Sequence, residues 1–139
     1  MAAAIAYRPD GSAAKVMFAT TPGTYNDVSL IAFLRQLRRQ FDGDKVTLIW
    51  DGLPSHRSRR MREFLDTQRS WLVVERLPAY APELNPVEAL WGNLKGTELA
   101  NLCVDTLAET EHHVRRGVRR VRRENDLAFA FLRHTGLSL

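Results

Sequence analysis

The sequence predicts an α/β fold in which a mixed sheet is flanked by helices. Two observations lead to it. Short apolar runs and amphipathic stretches follow one another as hairpin, helix, strand, helix, strand and then helices. Val46 to Trp50 (VTLIW) reads as an apolar run, the pattern of a strand covered on both faces in a parallel sheet. With 139 residues the chain has room for a single domain with a real core.

Each element has a local reason. Ala2–Tyr7 and Lys15–Thr21 flank Arg8-Pro9-Asp10-Gly11, a turn in which proline presets φ and glycine can take a positive one, so they read as a hairpin. Thr21-Pro22-Gly23 ends it. Asn26 to Phe41 repeats Leu30, Leu34, Leu37 and Phe41 at helical spacing. Asp42-Gly43-Asp44 turns the chain into the VTLIW strand, and Asp51 stands at its C-terminal end. A second helix is expected over about Ser55 to Thr67, with Met61, Phe64 and Leu65 inward, and a short strand over Trp71 to Val74. Pro78, Pro82 and Pro86 deny a ladder its N–H groups, so the lead-in from Leu77 is no central strand. Asn85 is a favoured N-cap, Pro86 fits the first helical position, and Val87, Leu90, Trp91 and Leu94 mark one apolar face. Thr97 to Val104 reads as an irregular or helical continuation. Thr106 and Glu109 form a capping box for a helix to about Glu124, with Leu107, Val114, Val118 and Val121 as its apolar stripe. Leu127 to Leu139 has enough apolar residues to dock as a short helix or strand.

Composition excludes several classes. At 45% apolar and 26% charged residues the chain is ordinary for a soluble globular protein, and no apolar run approaches the roughly 20 residues of a membrane helix. The start of the chain does not read as a signal peptide. One cysteine, Cys103, rules out an internal disulfide, fits a reducing compartment and reads as a small core residue. The net charge of +4 is unevenly spread. Arg57, Arg59, Arg60 and Arg62 crowd one stretch, and Arg115, Arg116, Arg119, Arg120, Arg122 and Arg123 another. One such run is usually a solvated helix face; two arginine-dominated runs point toward a phosphate-bearing partner.

Asp51 and Glu88 are the candidate site. Ligands of open α/β sheets bind beyond the carboxyl ends of the strands, where Asp51 falls. Glu88 opens a helix after the next strand, so both acids can face one crevice. Hard oxygen ligands of this kind suit Mg²⁺ or Mn²⁺. The plainer alternatives are that Asp51 caps the helix after it and that Glu88 is the N3 half of a capping box; for Glu88 the cap and ligand roles compete. Zinc spacing, a glycine-rich phosphate loop and a nucleophile elbow are all missing.

Three stretches carry a resemblance. They are Leu48-Ile49-Trp50-Asp51 with Leu53-Pro54-x-His56-Arg57-Ser58; Leu77-Pro78-x-Tyr80-x-Pro82-Glu83-Leu84-Asn85-Pro86-Val87-Glu88 with Trp91-x-x-x-Lys95; and Phe131-Leu132-Arg133-His134-x-Gly136-Leu137. The chain resembles the DDE transposase domain of the IS630/Tc1–mariner superfamily, on its IS630 side, through most of its length. The resemblance implies an RNase H-like fold and a metal-dependent DNA endonuclease that cleaves and transfers strands. Three carboxylates hold two metal ions in that family; Asp51 matches the second and Glu88 the third, with 36 residues between them. His56 and Lys95 are implied as groups supporting the ligands or touching DNA, and Arg57, Arg115, Arg116, Arg119 and Arg120 as further DNA contacts.

The family's first Asp has no match. Asp10 lies in the hairpin turn and Asp27 at a helix start, so the chain is expected to be the C-terminal part of the domain, without its first strand and the DNA-recognition region. An upstream segment from another frame would then complete the site. The implied partners are transposon ends, target DNA and a second copy in a homodimer, and the implied location is the cytoplasm, on the nucleoid. A second reading is a non-catalytic remnant that binds DNA through its arginines. A cellular RNase H-like nuclease shares the chemistry but does not account for the Asn-Pro-x-Glu-x-x-Trp segment.

Overall fold

The computed structural model describes residues 1–21, 23–79, 81–100 and 106–139. Pro22 of the expected breaker, Tyr80 of the proline lead-in, Cys103 and the 101–104 part of the expected continuation lie outside these residues. Along the chain run β1 (Ala2–Tyr7), β2 (Ala14–Ala19), α1 (Asp27–Gln40), β3 (Val46–Trp50), α2 (Arg59–Asp66), β4 (Leu72–Arg76), α3 (Pro86–Thr97), α4 (Leu107–Arg123) and α5 (Asn125–His134). The fold is α/β, as expected, and its contacts gather into two compact units: residues Met1–Ala2 with Thr21–Pro82, and residues Ala3–Thr20 with Glu83–Leu139.

In the first unit, Asn26 caps α1 with its side chain on the Ser29 N–H, and Ser29 returns a bond to the Asn26 N–H. Ile31, Phe33, Leu34 and Leu37 are its buried residues. β3 and β4 pair in parallel, Val46 opposite Leu72 and Trp50 opposite Arg76. The expected single helix from Ser55 is instead two pieces. A short 3-10 turn, Pro54–Arg57, ends where Ser58 takes an extended ψ of 155°; the Ser58 hydroxyl then caps α2 at Met61. The same hydroxyl donates to Asp27 at the start of α1 (3.0 Å), which fixes the break.

Among the described residues, β1 pairs with β2 and β3 with β4. One expectation is corrected: β3 is not covered on both faces. Val46, Leu48 and Trp50 turn inward while Thr47 and Ile49 are exposed, and Val73 beside Thr47 is exposed too. Side chains alternate across a strand, so covering one face leaves every second residue open.

The second unit holds the hairpin and the last three helices. β1 and β2 are linked by too few residues for anything but an antiparallel return. Its core gathers Val16 and Phe18 of β2, Leu90 and Leu94 of α3, Val114, Val118 and Val121 of α4, and Phe131 of α5. Val114, Val118 and Val121 are buried as the expected α4 stripe requires, and the Leu107 side chain lies outside what is described. The tail docks as α5, whose exit Gly136 takes a φ of 76°. Among the described residues, no helix is long and apolar enough to cross a membrane.

Candidate active site

Asp51 leaves β3 at its C-terminal end, and the backbone at once turns through Gly52 and Leu53 into the 3-10 turn that carries His56. One carboxylate oxygen, Oδ1, accepts from the Leu53 N–H at 3.1 Å. The same oxygen lies 2.9 Å from Nδ1 of His56, and the Asp51 carbonyl lies 3.0 Å from that nitrogen. Both neighbours of Nδ1 are acceptors, so Nδ1 carries a hydrogen. The imidazole is buried and stacked on Trp50, with ring centroids 4.1 Å apart and planes 3° from parallel. A stacked ring and a two-residue turn thus hold one edge of the carboxylate. Oδ2 has no partner among the described residues and faces a half-exposed surface.

Glu88 lies in the first turn of α3. Asn85 caps this helix through Val87, its Oδ1 accepting from the Val87 N–H at 3.1 Å. No side-chain bond runs from Glu88 back to Asn85, in contrast to the reciprocal boxes of Asn26–Ser29 and Thr106–Glu109. The capping-box alternative is therefore not how α3 starts: Asn85 and Pro86 suffice, and the exposed Glu88 carboxylate has no partner among the described residues. Lys95, seven residues on, is also exposed, two turns along nearly the same face, a rise of about 10 Å. Trp91 between them turns inward and meets Phe18 edge to face at 6.1 Å, which fixes how α3 is rotated.

The structure thus places Asp51 with His56 in one unit and Glu88 with Lys95 on one helix of the other. Asp10 and Asp27, the residues nearest in sequence to a further ligand, serve locally. Asp10 accepts from the Ser12 N–H (2.9 Å), and hydrogen bonds from the Ser12 side chain and then its backbone hold the Asp10 carboxyl below the usual range; Asp27 ties Ser58 and Arg60 to α1. Among the described residues, no three His, Cys, Asp or Glu side chains gather as a metal cluster.

The arginine runs separate into engaged and open members. Arg120 forks onto Glu98 at 2.8 and 3.1 Å and reaches Asn93 at 2.6 Å. Arg115 bonds Glu111 and Thr20, and Arg122 donates to the Val16 carbonyl at 2.9 Å. Arg116, Arg119 and Arg123 on α4, and Arg57 beside His56, are exposed and have no ion pair among the described residues. Sequence periodicity alone does not separate these groups, because the partners Asn93, Glu98 and Val16 come from distant elements.

One carboxylate thus stands at the end of a parallel strand and another at a helix start, each in its own compact unit, and several exposed arginines have no ion pair among the described residues. The chain belongs to the DDE superfamily endonuclease family, whose model matches residues 10–111. No curated relative matches the sequence. The fold is similar to that of the catalytic domain of Mos1 mariner transposase, at 20% identity and a TM-score of 0.51, covering 92% of this chain and 71% of that one. Two structures of the Mos1 transposase catalytic domain with raltegravir are similar as well. The one with Mn has a TM-score of 0.52 at 20% identity, covering 92% of this chain and 72% of that one. The one with Mg has a TM-score of 0.52 at 18% identity, covering 99% of this chain and 83% of that one. The fold is thus of the RNase H-like transposase kind that the sequence resemblance implied.

Proposed function

We propose that this chain is the metal-binding part of an IS630-type DDE transposase that cleaves and transfers DNA strands, with Asp51 and Glu88 as ligands of Mg²⁺ or Mn²⁺. The observation that carries this reading is the state of the two carboxylates. Each sits on a defined element, and each keeps at least one oxygen uncommitted among the described residues. Membership of the DDE endonuclease family and the Mn and Mg structures of the Mos1 catalytic domain support the donor set.

A divalent cation bound there supplies Lewis-acid activation of water or a 3′-hydroxyl and neutralises charge at the phosphate. The chain's own residues do the rest. Asp51 offers Oδ2 while His56 and the Leu53 N–H hold its other oxygen, so the ligand is oriented before any ion arrives. Glu88 offers its whole carboxylate from the start of α3. Lys95 and Arg57 contact phosphates of transposon ends and target, and open arginines of α4 add contacts without sequence choice. A third carboxylate from a further segment of transposase would complete the donor set, and the active form is a dimer on the nucleoid DNA.

Calorimetric titration of the purified chain with Mn²⁺ tests this reading. Wild type is expected to bind, and Asp51→Ala and Glu88→Ala are each expected to weaken binding at least tenfold while keeping the wild-type circular dichroism. Wild-type affinity in either variant overturns the assignment. The remnant reading rests on the open arginines Arg116 and Arg119 and shares their salt-dependent DNA binding. It differs by predicting no metal uptake at all.

A further inference from the structure

We infer that a groove between α1 and α2, at the far end of the β3–β4 pair from Asp51, is a binding site for the phosphodiester backbone of nucleic acid. The groove encloses about 350 Å³ and is lined by Arg35, Arg38 and Arg39 of α1 and by Phe64, Thr67 and Gln68 at the end of α2. The two sets follow the same spacing of three and four residues, so each presents one face of its helix to the groove. The Gln68 carbonyl accepts from the backbone N–H groups of Trp71 and Leu72, which places it where β4 begins. Asp51 lies beyond the other end of β3, five residues and about 16 Å away by strand rise. The groove is therefore no part of the carboxylate site.

Its chemistry is that of an anion cradle. The Arg35 guanidinium lies over the Phe64 ring at 5.7 Å, and Arg38 over the Trp71 ring at 5.1 Å. A guanidinium laid on an aromatic face keeps its N–H fork pointing outward in its own plane, the geometry that matches two phosphate oxygens. Of the three arginines, Arg38 is drawn on by an acid, Asp42 at 3.7 Å, and its second contact is the Phe41 carbonyl at 3.4 Å. Arg35 and Arg39 have no ion pair among the described residues. The two acids of α2 are already engaged, Glu63 by Arg59 at 2.7 Å and Asp66 by Arg69 at 2.6 Å. The polar lining is bonded within itself: Gln68 accepts from the Trp71 indole and donates to the Thr67 hydroxyl, which donates to the Phe64 carbonyl, so these groups do not draw on the arginines. Three arginines at helical spacing give the lining a repeated positive character. A repeating phosphate chain fits better than an acidic peptide.

The site rests on the proposed function only for the identity of its ligand. The test is fluorescence anisotropy of a labelled DNA duplex in metal-free buffer over a salt series, with wild type and R35A/R39A. Both arginines are exposed, so the variant is expected to keep the wild-type melting curve. Losing two phosphate contacts should weaken binding roughly tenfold at moderate salt and flatten the log–log salt slope by about two. An unchanged slope and affinity overturn the site. So does a variant that loses poly-glutamate binding while keeping duplex binding, which would mark an acidic-polypeptide site. Mn²⁺ titration of the same R35A/R39A variant should match wild type. Loss of the Asp51 and Glu88 reading therefore shows in the metal titration, and loss of the groove shows in the salt slope.

Discussion

Tyr7 ties the hairpin to the last helix. Its hydroxyl donates to the Ala128 carbonyl at 2.9 Å, and its ring tilts against Phe129 with centroids 5.6 Å apart. Burial pushes the phenol up to about 12. An unfolded tyrosine ionises near about 10. Between those values the unfolded chain has released a proton that the folded chain retains, so stability is fully present below about 10 and falls as pH rises toward 12. Denaturant unfolding of wild type and Tyr7→Phe from about pH 9 to 12 should show the wild-type advantage shrinking across that window. A constant difference between them would exclude Tyr7 as the cause. Residues of this kind are hard to read from sequence, because the apolar hairpin strand gives no hint that its last residue reaches an element 121 positions away. Glu88 is the opposite case. Sequence leaves its cap and ligand roles in competition; the structure shows Asn85 capping through Val87 and so frees the carboxylate.

At the scale of elements, the contact between α3 and α4 depends on a glycine that no motif marks. A Cβ on Gly117 would run into the Leu94 side chain and stand 2.6 Å from Cδ of Glu98. Glu98 is buried and held by Arg120, so it cannot swing aside without leaving a buried charge poorly paired. Gly117→Ala gains up to about 1 kcal/mol of helix propensity. Overpacking costs about 1–3 kcal/mol, and the disturbed ion pair adds to it. The net expectation is a loss of about 1–3 kcal/mol in urea unfolding. Gly92 and Gly96 on α3 have open space where an alanine methyl would stand, so alanine at either position should be neutral or stabilising by up to about 1 kcal/mol. If all three alanines behaved alike, close helix approach at Gly117 would be disproved. Caps and stripes of these helices were legible because they are local: Thr106, Asn85 and the Val114–Val121 stripe all act within two turns. The break at Ser58 was not, because its cause is the Asp27 carboxylate, 31 residues upstream.

For the whole molecule, alternation of elements shows the α/β class, and the Asp51 and Glu88 motifs show the family. The open face of β3 depends on what packs against the strand, and the apolar run itself carries no such information. The same holds for the joint use of Asp51 and Glu88, which lie in different compact units. The proposal requires one metal centre that both carboxylates share, and this makes a prediction that single variants cannot. Any ion bound only by the folded chain stabilises it, by about 2.7 kcal/mol at a hundredfold excess over its dissociation constant. At a shared centre, Asp51→Ala and Glu88→Ala should each remove nearly all of that Mn²⁺-dependent gain, and the double variant should lose no more than either alone. Two independent centres would instead give losses that add, as distant sites do. Thermal melts of the four proteins with and without Mn²⁺ measure the difference. Additive losses would separate the two carboxylates and reduce Glu88 to an exposed acid at a helix start, whereas full non-additivity would support their joint role in holding the ion.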